Sequence, residues 1–278
     1  MAGCVHKGSS RGLLRSRPLR DSSANRTMRL LMQLKPYKKD FDHSYSFGVF
    51  PTLGLLEHRA EYVISVLVSS KGEKNEGVLR IAEICERRRI RVEVNDRLVE
   101  RLSPKENVYA IGVFEKYQER LTTGRDHVAL VNPADMGNLG TITRTMLGFG
   151  VPDLALVRPA ADVFDPRAIR ASMGAIFQAS FQYFVSFNDY REAFAPNLYP
   201  FMTNGKEPLG KVAFTRPFSL VFGNESAGLP EEYRQIGTSI SIRHSPEIDS
   251  LNLPVAVAIA LYEATRSDFA HTPEGKRK

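Results

Sequence analysis

The sequence predicts an α/β protein with a mostly parallel sheet, because short apolar runs alternate with helical patterns along most of its length. Glycine and small polar residues follow several of these runs, as they do where parallel strands end at ligand-binding loops. The last helical segment is apolar on almost every side, which is typical of a helix that is buried in a layered fold.

Size and composition limit the class of protein. At 278 residues the chain is long enough for one large domain or two ordinary ones. Its longest nearly apolar stretch, residues 251–262, is too short to span a bilayer, so we expect no membrane association. Two cysteines, Cys4 and Cys85, cannot form a disulfide framework, and we therefore expect a reducing, cytoplasmic location. The six histidines show no metal-ligand spacing, so we expect no metal.

The net charge of +7 is concentrated at the start of the chain. Residues 1–28 hold six of the 38 Lys and Arg residues and one of the 31 Asp and Glu residues, so they carry +5 of this charge. A basic pI is therefore a poor argument for nucleic-acid binding by the rest of the chain. We expect a disordered leader, which could be a transit peptide, an extension upstream of a start at Met28, or an arm that grips RNA.

The first half of the chain predicts a small α/β unit that follows a polar lead-in at residues 29–46. Its strands are β-branched and its best helix, at 76–89, has one apolar face. The predicted elements are a helix at 52–60, strands at 62–68, 91–94 and 108–114, the helix at 76–89, and a turn or short helix that starts at 103.

The second half restarts the alternation after a polar segment at 118–126, which we interpret as a linker. Asp165 and Pro166 mark a helix start, since Asp caps helices and Pro fits the first turn. We expect the final helix, which runs to residue 267, to be buried either within one chain or against a second subunit. The other predicted elements are strands at 128–131, 154–157, 181–185, 198–203, 219–222 and 239–242, and helices at 139–149, 165–178, 189–194 and 230–236.

Three short motifs follow predicted strands in the second half. They are NLGTITR at 138–144, FGNESAGL at 222–229 and DSLNLP at 249–254. Each alone is weak, but together they predict a ligand site at the carboxyl edge of the sheet. Standard nucleotide and hydrolase motifs are absent from the sequence, because Asp153 stands where the third glycine after Gly148 and Gly150 belongs, and there is no P-loop or G-x-S-x-G.

The motifs, in this order and spacing, resemble the SpoU family of the SPOUT superfamily, RNA 2′-O-ribose methyltransferases that use S-adenosylmethionine. The resemblance covers residues 127–267 and includes RASMGA at 170–175. Residues 62–117 more weakly resemble the family's small RNA-binding domain. Met136 and Leu253-Pro254 depart from the family pattern and affect the expected geometry of the cofactor loops.

The resemblance implies a homodimer and a carboxyl-terminal α/β domain with a trefoil knot, in which the methyl donor binds. It also implies a small α/β domain that binds rRNA or tRNA. We therefore divide the chain into a leader at 1–28, an RNA-binding domain at 29–117, a linker at 118–126, a methyltransferase domain at 127–268 and a polar tail at 269–278.

The resemblance also implies which residues form the site. The residues expected to hold the cofactor are Thr203, Asn204, Gly205, Gly223, Asn224, Ile242, Ser250 and Leu251. Glu225 is expected to face the sulfonium or to orient Asn138, although a loop-stabilising carboxylate is the alternative. Asn138 and Asn252 are expected at the reaction centre; capping or turn-forming asparagines are the alternative.

Arg144 is the main catalytic residue that the resemblance implies, and a solvated surface arginine is the alternative. Guanidinium has no acceptor and stays protonated, so we expect it to hold a phosphate beside the target ribose and not to act as a base. Arg167 and Arg170 share a helix face and are either RNA phosphate contacts or solvated. The rival functions are a non-catalytic RNA-binding or ribosome-associated protein and an RNA base methyltransferase.

Overall fold

Two main sheets organise the protein, one in each half of the sequence. This computed structural model describes residues 34–103, 107–194 and 196–269. The predicted leader at 1–28 and the predicted tail beyond residue 269 lie outside the described residues.

The first sheet has four strands in the order β1-β4-β2-β3. They are β1 (His43–Phe47), β2 (Val63–Val68), β3 (Val92–Val94) and β4 (Ala110–Glu115). Strand β4 is antiparallel to both of its neighbours, whereas β2 and β3 are parallel. The predicted strands of this half are confirmed to within about two residues, which is the usual uncertainty of element ends.

Three helices accompany this sheet: α1 (Val49–His58), α2 (Glu76–Arg88) and α3 (Asp96–Leu102). Asparagine side chains begin two of them, since Asn75 accepts the backbone N–H of Val78 and Asn95 accepts that of Leu98. Helix α3 was not predicted, because the turn or short helix that the sequence indicated was expected to start at residue 103, after the point where α3 ends.

The prediction of a polar lead-in up to residue 46 is wrong from residue 43 onward, because β1 begins at His43, whereas residues 29–33 lie outside the described residues. Ser44 and Ser46 disguise the strand, since both are fully buried and hydrogen-bonded rather than exposed. Ser44 donates to the carbonyl oxygen of Phe164, and Ser46 Oγ lies 3.1 Å from Thr52 Oγ1. Polar side chains that bond inside the protein thus remove the apolar signal on which strand prediction depends.

The second main sheet contains five parallel strands in the order β7-β6-β5-β10-β8, which confirms the predicted parallel α/β class. Strands β9 and β11 pair with each other beside it. Strand β9 was not predicted, and β11 is shorter than the predicted strand at 239–242. In chain order the strands are β5 (His127–Val131), β6 (Asp153–Val157), β7 (Ser180–Phe184), β8 (Asn197–Pro200), β9 (Glu207–Pro208), β10 (Phe218–Phe222) and β11 (Ile240–Ser241).

The helices of this half are α4 (Met136–Gly148), α5 (Pro166–Ala171), α6 (Phe187–Phe194) and α7 (Leu253–Phe269). The predicted helix at 165–178 is too long, because Met173 and Gly174 have positive φ angles of 54° and 86° and end α5. A short 3₁₀ turn follows. The predicted helix at 230–236 is a 3₁₀ helix, Glu231–Gln235.

The final helix was expected to be buried either within one chain or against a second subunit. Helix α7 is not buried on all sides by its own chain, so the first of these alternatives is wrong. Pro254, Val257 and Leu261 are buried, whereas Val255 and Tyr262 are 48% and 60% exposed. Among the described residues, no helix is both long and apolar enough to cross a membrane.

One apolar core joins the two halves of the described chain from Pro36 onward. The Phe114 ring of β4 lies 5.3 Å from the Phe177 ring and 5.9 Å from the Phe164 ring. Leu55 of α1 belongs to the same cluster. Burial of aromatic side chains at this junction fixes the small sheet against the parallel sheet.

A buried polar network crosses three elements of the parallel sheet layer. His127 Nδ1, at the start of β5, lies 2.9 Å from Tyr190 Oη, which is 2.8 Å from Ser219 Oγ of β10. The other ring nitrogen, Nε2, donates to the carbonyl oxygen of Thr122. Burial lowers the pKa of His127 below its ordinary value, so the neutral ring is the form that the fold favours.

We expect Tyr190→Phe to lower the free energy of unfolding by about 1–3 kcal/mol, because it leaves His127 Nδ1 and Ser219 Oγ buried without their shared partner. Urea denaturation measures this change. Tyr62→Phe is the matched control, since the Tyr62 hydroxyl makes no hydrogen bond within the described residues. Equal stability of the two variants would contradict the prediction.

Candidate functional site

A cavity of about 450 Å³ lies at the carboxyl edge of the parallel sheet. The segments that line it follow β8 (residues 201–204), follow β10 (223–229) and precede α7 (249–251). Ile242 and His244 contribute from the chain after β11. This volume lies within the usual range of small-molecule sites, and the position is where parallel sheets bind ligands.

The cavity combines apolar and polar walls. The Phe201 and Phe222 rings stack with their centroids 4.7 Å apart, and Leu229 and Leu251 add aliphatic surface. Polar groups come from the side chains and the exposed backbone of the loops. Such a site suits a ligand with a flat apolar ring and several hydrogen-bonding groups.

Two glycines allow the loops around the cavity to contact each other. A Cβ on Gly223 would overlap the backbone of Gly228, and a Cβ on Gly205 would overlap the backbone of Ile240. Gly205 does not line the cavity, although Gly223 does. Glycine is therefore needed at these two positions because backbone contacts backbone there, whether or not the residue touches a ligand.

Asn224 holds the second motif in its turn. Its Oδ1 accepts the backbone N–H groups of Ser226 and Ala227, at 2.9 and 3.2 Å. Its Nδ2 donates to the carbonyl oxygen of Asn132 just after β5, at 2.8 Å. This asparagine thus forms an Asx-type turn and also ties the loop to the neighbouring strand.

The Glu225 carboxylate connects the first motif to the second. It accepts the backbone N–H groups of Ala134 and Asp135, each at 3.1 Å, and the Asn138 Nδ2 at 3.3 Å. The expected contact with Asn138 is therefore present, together with the loop contacts of the alternative interpretation. Asp135, which was not predicted, caps α4 by accepting the Asn138 N–H at 2.7 Å.

Two polar cavity residues that lie outside the motifs, Glu231 and His244, were not predicted from the sequence. Glu231 accepts a hydrogen bond from Asn204 Nδ2 at 2.8 Å, and this bond, followed by that from Arg234, lowers the pKa of Glu231. His244 donates from Nδ1 to the carbonyl oxygen of Ile242. Neither has a local signal, because both reach the cavity only through the folding of irregular chain.

The third motif divides between the cavity and the start of α7. Ser250 and Leu251 line the cavity, as expected. Asn252 is exposed outside it, and its carbonyl oxygen accepts the N–H of Ala256 at 3.0 Å. Asn252 therefore lies at the start of helix α7, in agreement with the alternative interpretation of this residue as a capping asparagine.

The three predicted arginines lie outside the cavity. Arg144 is exposed on α4, six residues after Asn138, and makes no ion pair or hydrogen bond through its side chain with the described part of the chain. Arg167 is held by both oxygens of Asp165, at 3.0 and 2.9 Å. Arg170 is exposed on the same face of α5.

The structure thus brings together most of the expected cofactor residues but not the expected catalytic set. The predicted residues that line the cavity are Thr203, Asn204, Gly223, Asn224, Glu225, Ile242, Ser250 and Leu251. Asn138 joins them through Glu225. Residues 34–103, 107–194 and 196–269 contain no group of three or more His, Cys, Asp or Glu residues that could hold a metal.

A parallel sheet with a loop-built cavity at its carboxyl edge defines a ligand-binding α/β protein. Residues 126–262 match the model of the SpoU rRNA Methylase family. A 23S rRNA (adenosine(1067)-2′-O)-methyltransferase of Streptomyces laurentii is 30% identical over 205 residues, 69% of this chain and 75% of the relative. The chain belongs to the SpoU family, which confirms the resemblance of the three motifs.

Two further proteins are similar to this chain. An uncharacterized tRNA/rRNA methyltransferase of Synechocystis is 32% identical over 145 residues, 51% of this chain, and the chain spans only 53% of that relative's length. The crystal structure of an AdoMet-bound rRNA methyltransferase from Sinorhizobium meliloti has a TM-score of 0.70 at 26% identity. That match covers 87% of this chain and 94% of the other.

We expect Glu225→Gln to loosen the link between the loops after β5 and β10, since an amide group replaces one of the two accepting oxygens. The N–H groups of Ala134 and Asp135 should exchange with solvent about tenfold faster or more, because charged hydrogen bonds contribute about 1.5–3 kcal/mol. Hydrogen exchange followed by mass spectrometry measures this. The control is Glu247→Gln, in which an exposed carboxylate near the cavity is neutralised; equal exchange in both variants would exclude the link.

Proposed function

We propose that this protein transfers a methyl group from S-adenosylmethionine to a ribose 2′-hydroxyl of structured RNA, either rRNA or tRNA. The observation that carries the proposal is the Glu225 carboxylate, which holds Asn138 of the first motif at the rim of the cavity formed by the second and third. The Streptomyces laurentii relative is named as a 2′-O-methyltransferase, and the Sinorhizobium meliloti structure is AdoMet-bound.

The cavity fits this cofactor. Phe201, Phe222 and Leu251 give apolar surface for an adenine ring, and the loop backbones offer N–H and C=O groups to its edge. Glu225 places a carboxylate at the wall, where it favours the positive charge of a sulfonium. When bound, the cofactor supplies an electrophilic methyl group. The residues that line the cavity and would hold it are Thr203, Asn204, Gly223, Asn224, Ile242, Ser250 and Leu251, and Gly205 would act indirectly, by letting its loop approach Ile240.

Arg144 is proposed to position the RNA. Its guanidinium offers a planar fork of donors that matches a phosphate, and no side chain of the described residues occupies that fork. A phosphate held in this way aligns the neighbouring 2′-hydroxyl, and the positive charge stabilises the alkoxide that develops as the hydroxyl proton passes to solvent water. Asn138 and Asn252 add amide groups that can orient the same ribose.

The proposed homodimer is supported by α7. Val255, Ile259, Tyr262 and Phe269 form one exposed apolar row along this helix, at the spacing of a single helical face. Leu253 and Ala256 of the same helix line the cavity. A second copy that covers the row would therefore border the cavity, and its own Arg144 could complete the site that one chain leaves without an arginine.

The remaining expectations stay proposals. Residues 29–117 are proposed to bind RNA, 118–126 to link the halves, and 127–268 to form the methyltransferase domain with its trefoil knot. The close approach of Gly205 to the backbone of Ile240 supports a tightly crossed chain in that region. Of the two arginines proposed to contact RNA, Arg170 is the available one, since Asp165 occupies Arg167.

We expect the purified protein to convert nucleosides of rRNA or tRNA to 2′-O-methyl nucleosides when S-adenosylmethionine is supplied. Arg144→Lys should lower kcat by about 10²-fold and leave the affinity for the cofactor unchanged, since a point charge cannot replace the fork. Mass spectrometry of digested RNA and titration calorimetry measure the two quantities. Arg191→Lys, an exposed arginine of α6, is the control.

Each rival has its own outcome in these assays. Failure to bind S-adenosylmethionine at millimolar concentration would favour a non-catalytic RNA-binding protein. Methylation of bases, with unmodified riboses, would favour the base methyltransferase. Full activity of Arg144→Lys would exclude the proposed phosphate fork while leaving methyl transfer itself in place.

We expect Ile259→Glu to convert the dimer to a monomer, because it puts a charge in the centre of the apolar row of α7. Sedimentation velocity at micromolar concentration measures the mass. Val185→Glu, which alters an 80% exposed residue after β7, should stay dimeric. A wild-type protein that sediments as a monomer would exclude the dimer.

A further inference from the structure

Met173 occupies a backbone position that favours glycine. Its φ is +54° at the end of α5, and the N–H of the following Gly174 donates to the carbonyl oxygen of Ile169 to close the helix. Left-handed backbone is unfavourable for a residue with a Cβ, and outliers of this kind cluster at functional sites. The Met173 side chain is nevertheless 41% exposed, so packing does not explain its presence.

The end of α5 is fixed against the start of α1 by two glycines. A Cβ on Gly174 would lie 3.0 Å from Pro51 Cα and 3.2 Å from the carbonyl oxygen of Phe50. A Cβ on Gly54 would lie 3.0 Å from the carbonyl oxygen of Gly174. Phe50 and Met173 therefore flank one tight backbone contact between the two halves of the protein.

Phe50 is a second large apolar residue that this junction leaves in solvent. It belongs to the first turn of α1 and is 65% exposed. Single exposed apolar residues are common, but here an aromatic ring and a thioether are exposed on either side of a rigid contact. Aromatic and methionine side chains both offer flat or adaptable apolar surface to a ring.

Cationic groups lie beside this pair. Arg170 is three residues before Met173, is exposed, and has no polar partner within the described residues. Gly140 of α4 packs against Ala171 and Ser172, and Arg144 is one helical turn after Gly140 on the same side of α4. The surface around Phe50 and Met173 thus combines apolar groups with the cationic Arg170.

We propose that Phe50 and Met173 form a stacking platform for an unpaired base of the RNA substrate, with Arg170 on the neighbouring phosphate. This inference rests on the proposed function. Unpaired RNA is the occupant that matches the surface, because its bases stack on apolar side chains while its backbone is anionic. The tight contact at Gly174 and Gly54 holds the platform rigid, so little conformational entropy is lost when the base binds.

The test uses the full chain and measures filter binding of purified rRNA and tRNA, separately from methyl transfer to them. We expect Phe50→Ala and Met173→Gly each to weaken RNA binding at least about fivefold, as the loss of one base stack does. Their affinity for S-adenosylmethionine should not change. Met173→Gly should keep or raise the Tm, because glycine suits the left-handed position. If Met173 had a purely structural role, the variant would instead lower the Tm and leave RNA binding unchanged.

Further variants separate stacking from charge. Phe50→Trp keeps a ring and should bind RNA within about twofold of the wild type. Arg170→Ala should reduce the dependence of binding on log salt by about one ion, whereas Phe50→Ala should leave it unchanged. Val185→Ala and Asn107→Gly are the controls, since they alter another exposed apolar side chain and another residue with positive φ.

The outcomes distinguish this inference from the proposed function. Wild-type affinity in both Phe50→Ala and Met173→Gly would overturn the platform, and so would a Phe50→Trp protein as weak as Phe50→Ala. RNA binding that depends on the platform, without any methyl transfer by the wild type, would overturn the proposed function and support the platform. A wild-type protein that binds no RNA would overturn both.

Discussion

The cavity depends on one carboxylate, Glu225, that links the loops after two neighbouring strands of the parallel sheet. Strands β5 and β10 are neighbours, but 86 residues separate the end of β5 at Val131 from the start of β10 at Phe218. Glu225 joins the loops that follow these two strands by accepting hydrogen bonds from the N–H groups of Ala134, Asp135 and Asn138. A charged acceptor shared by three donors fixes both loops at once, whereas a neutral side chain could satisfy only part of that set.

Close contacts between backbone segments also shape the loops around the cavity. Gly223 lies against Gly228, so the loop after β10 folds back on itself, and Asn224 holds that turn. Gly205 lies against Ile240 in the same way, which brings the chain after β8 to the start of β11. Because these contacts join loops and not ligand, the cavity is formed before anything binds, and a preformed site loses little entropy on binding.

The sequence predicted what depends on local pattern and missed what depends on tertiary contact. Apolar runs identified the parallel strands, and the second and third motifs identified most of the residues that line the cavity. Strand β1 was missed because Ser44 and Ser46 are buried and hydrogen-bonded to Phe164 and Gly112, which are distant in sequence. The end of α5 was missed because Met173 adopts a glycine-like backbone that no propensity favours. The placement of Arg144 outside the cavity follows from the direction of α4, which the motif does not encode.

Electrostatics distinguish three arginines that look alike in the sequence. Asp165 holds the Arg167 guanidinium through both of its oxygens, and these hydrogen bonds raise the pKa of Arg167 above its ordinary value. A phosphate that binds there must compete with a carboxylate already in place. Arg144 and Arg170 have no such competitor among the described side chains, so their full charge is available to RNA. The free arginines lie on α4 and α5 and not in the cavity, and Arg170 is three residues before Met173. The proposed reaction therefore needs two surfaces, one for the methyl donor and one for RNA, and the proposed second copy on α7 would bring them together.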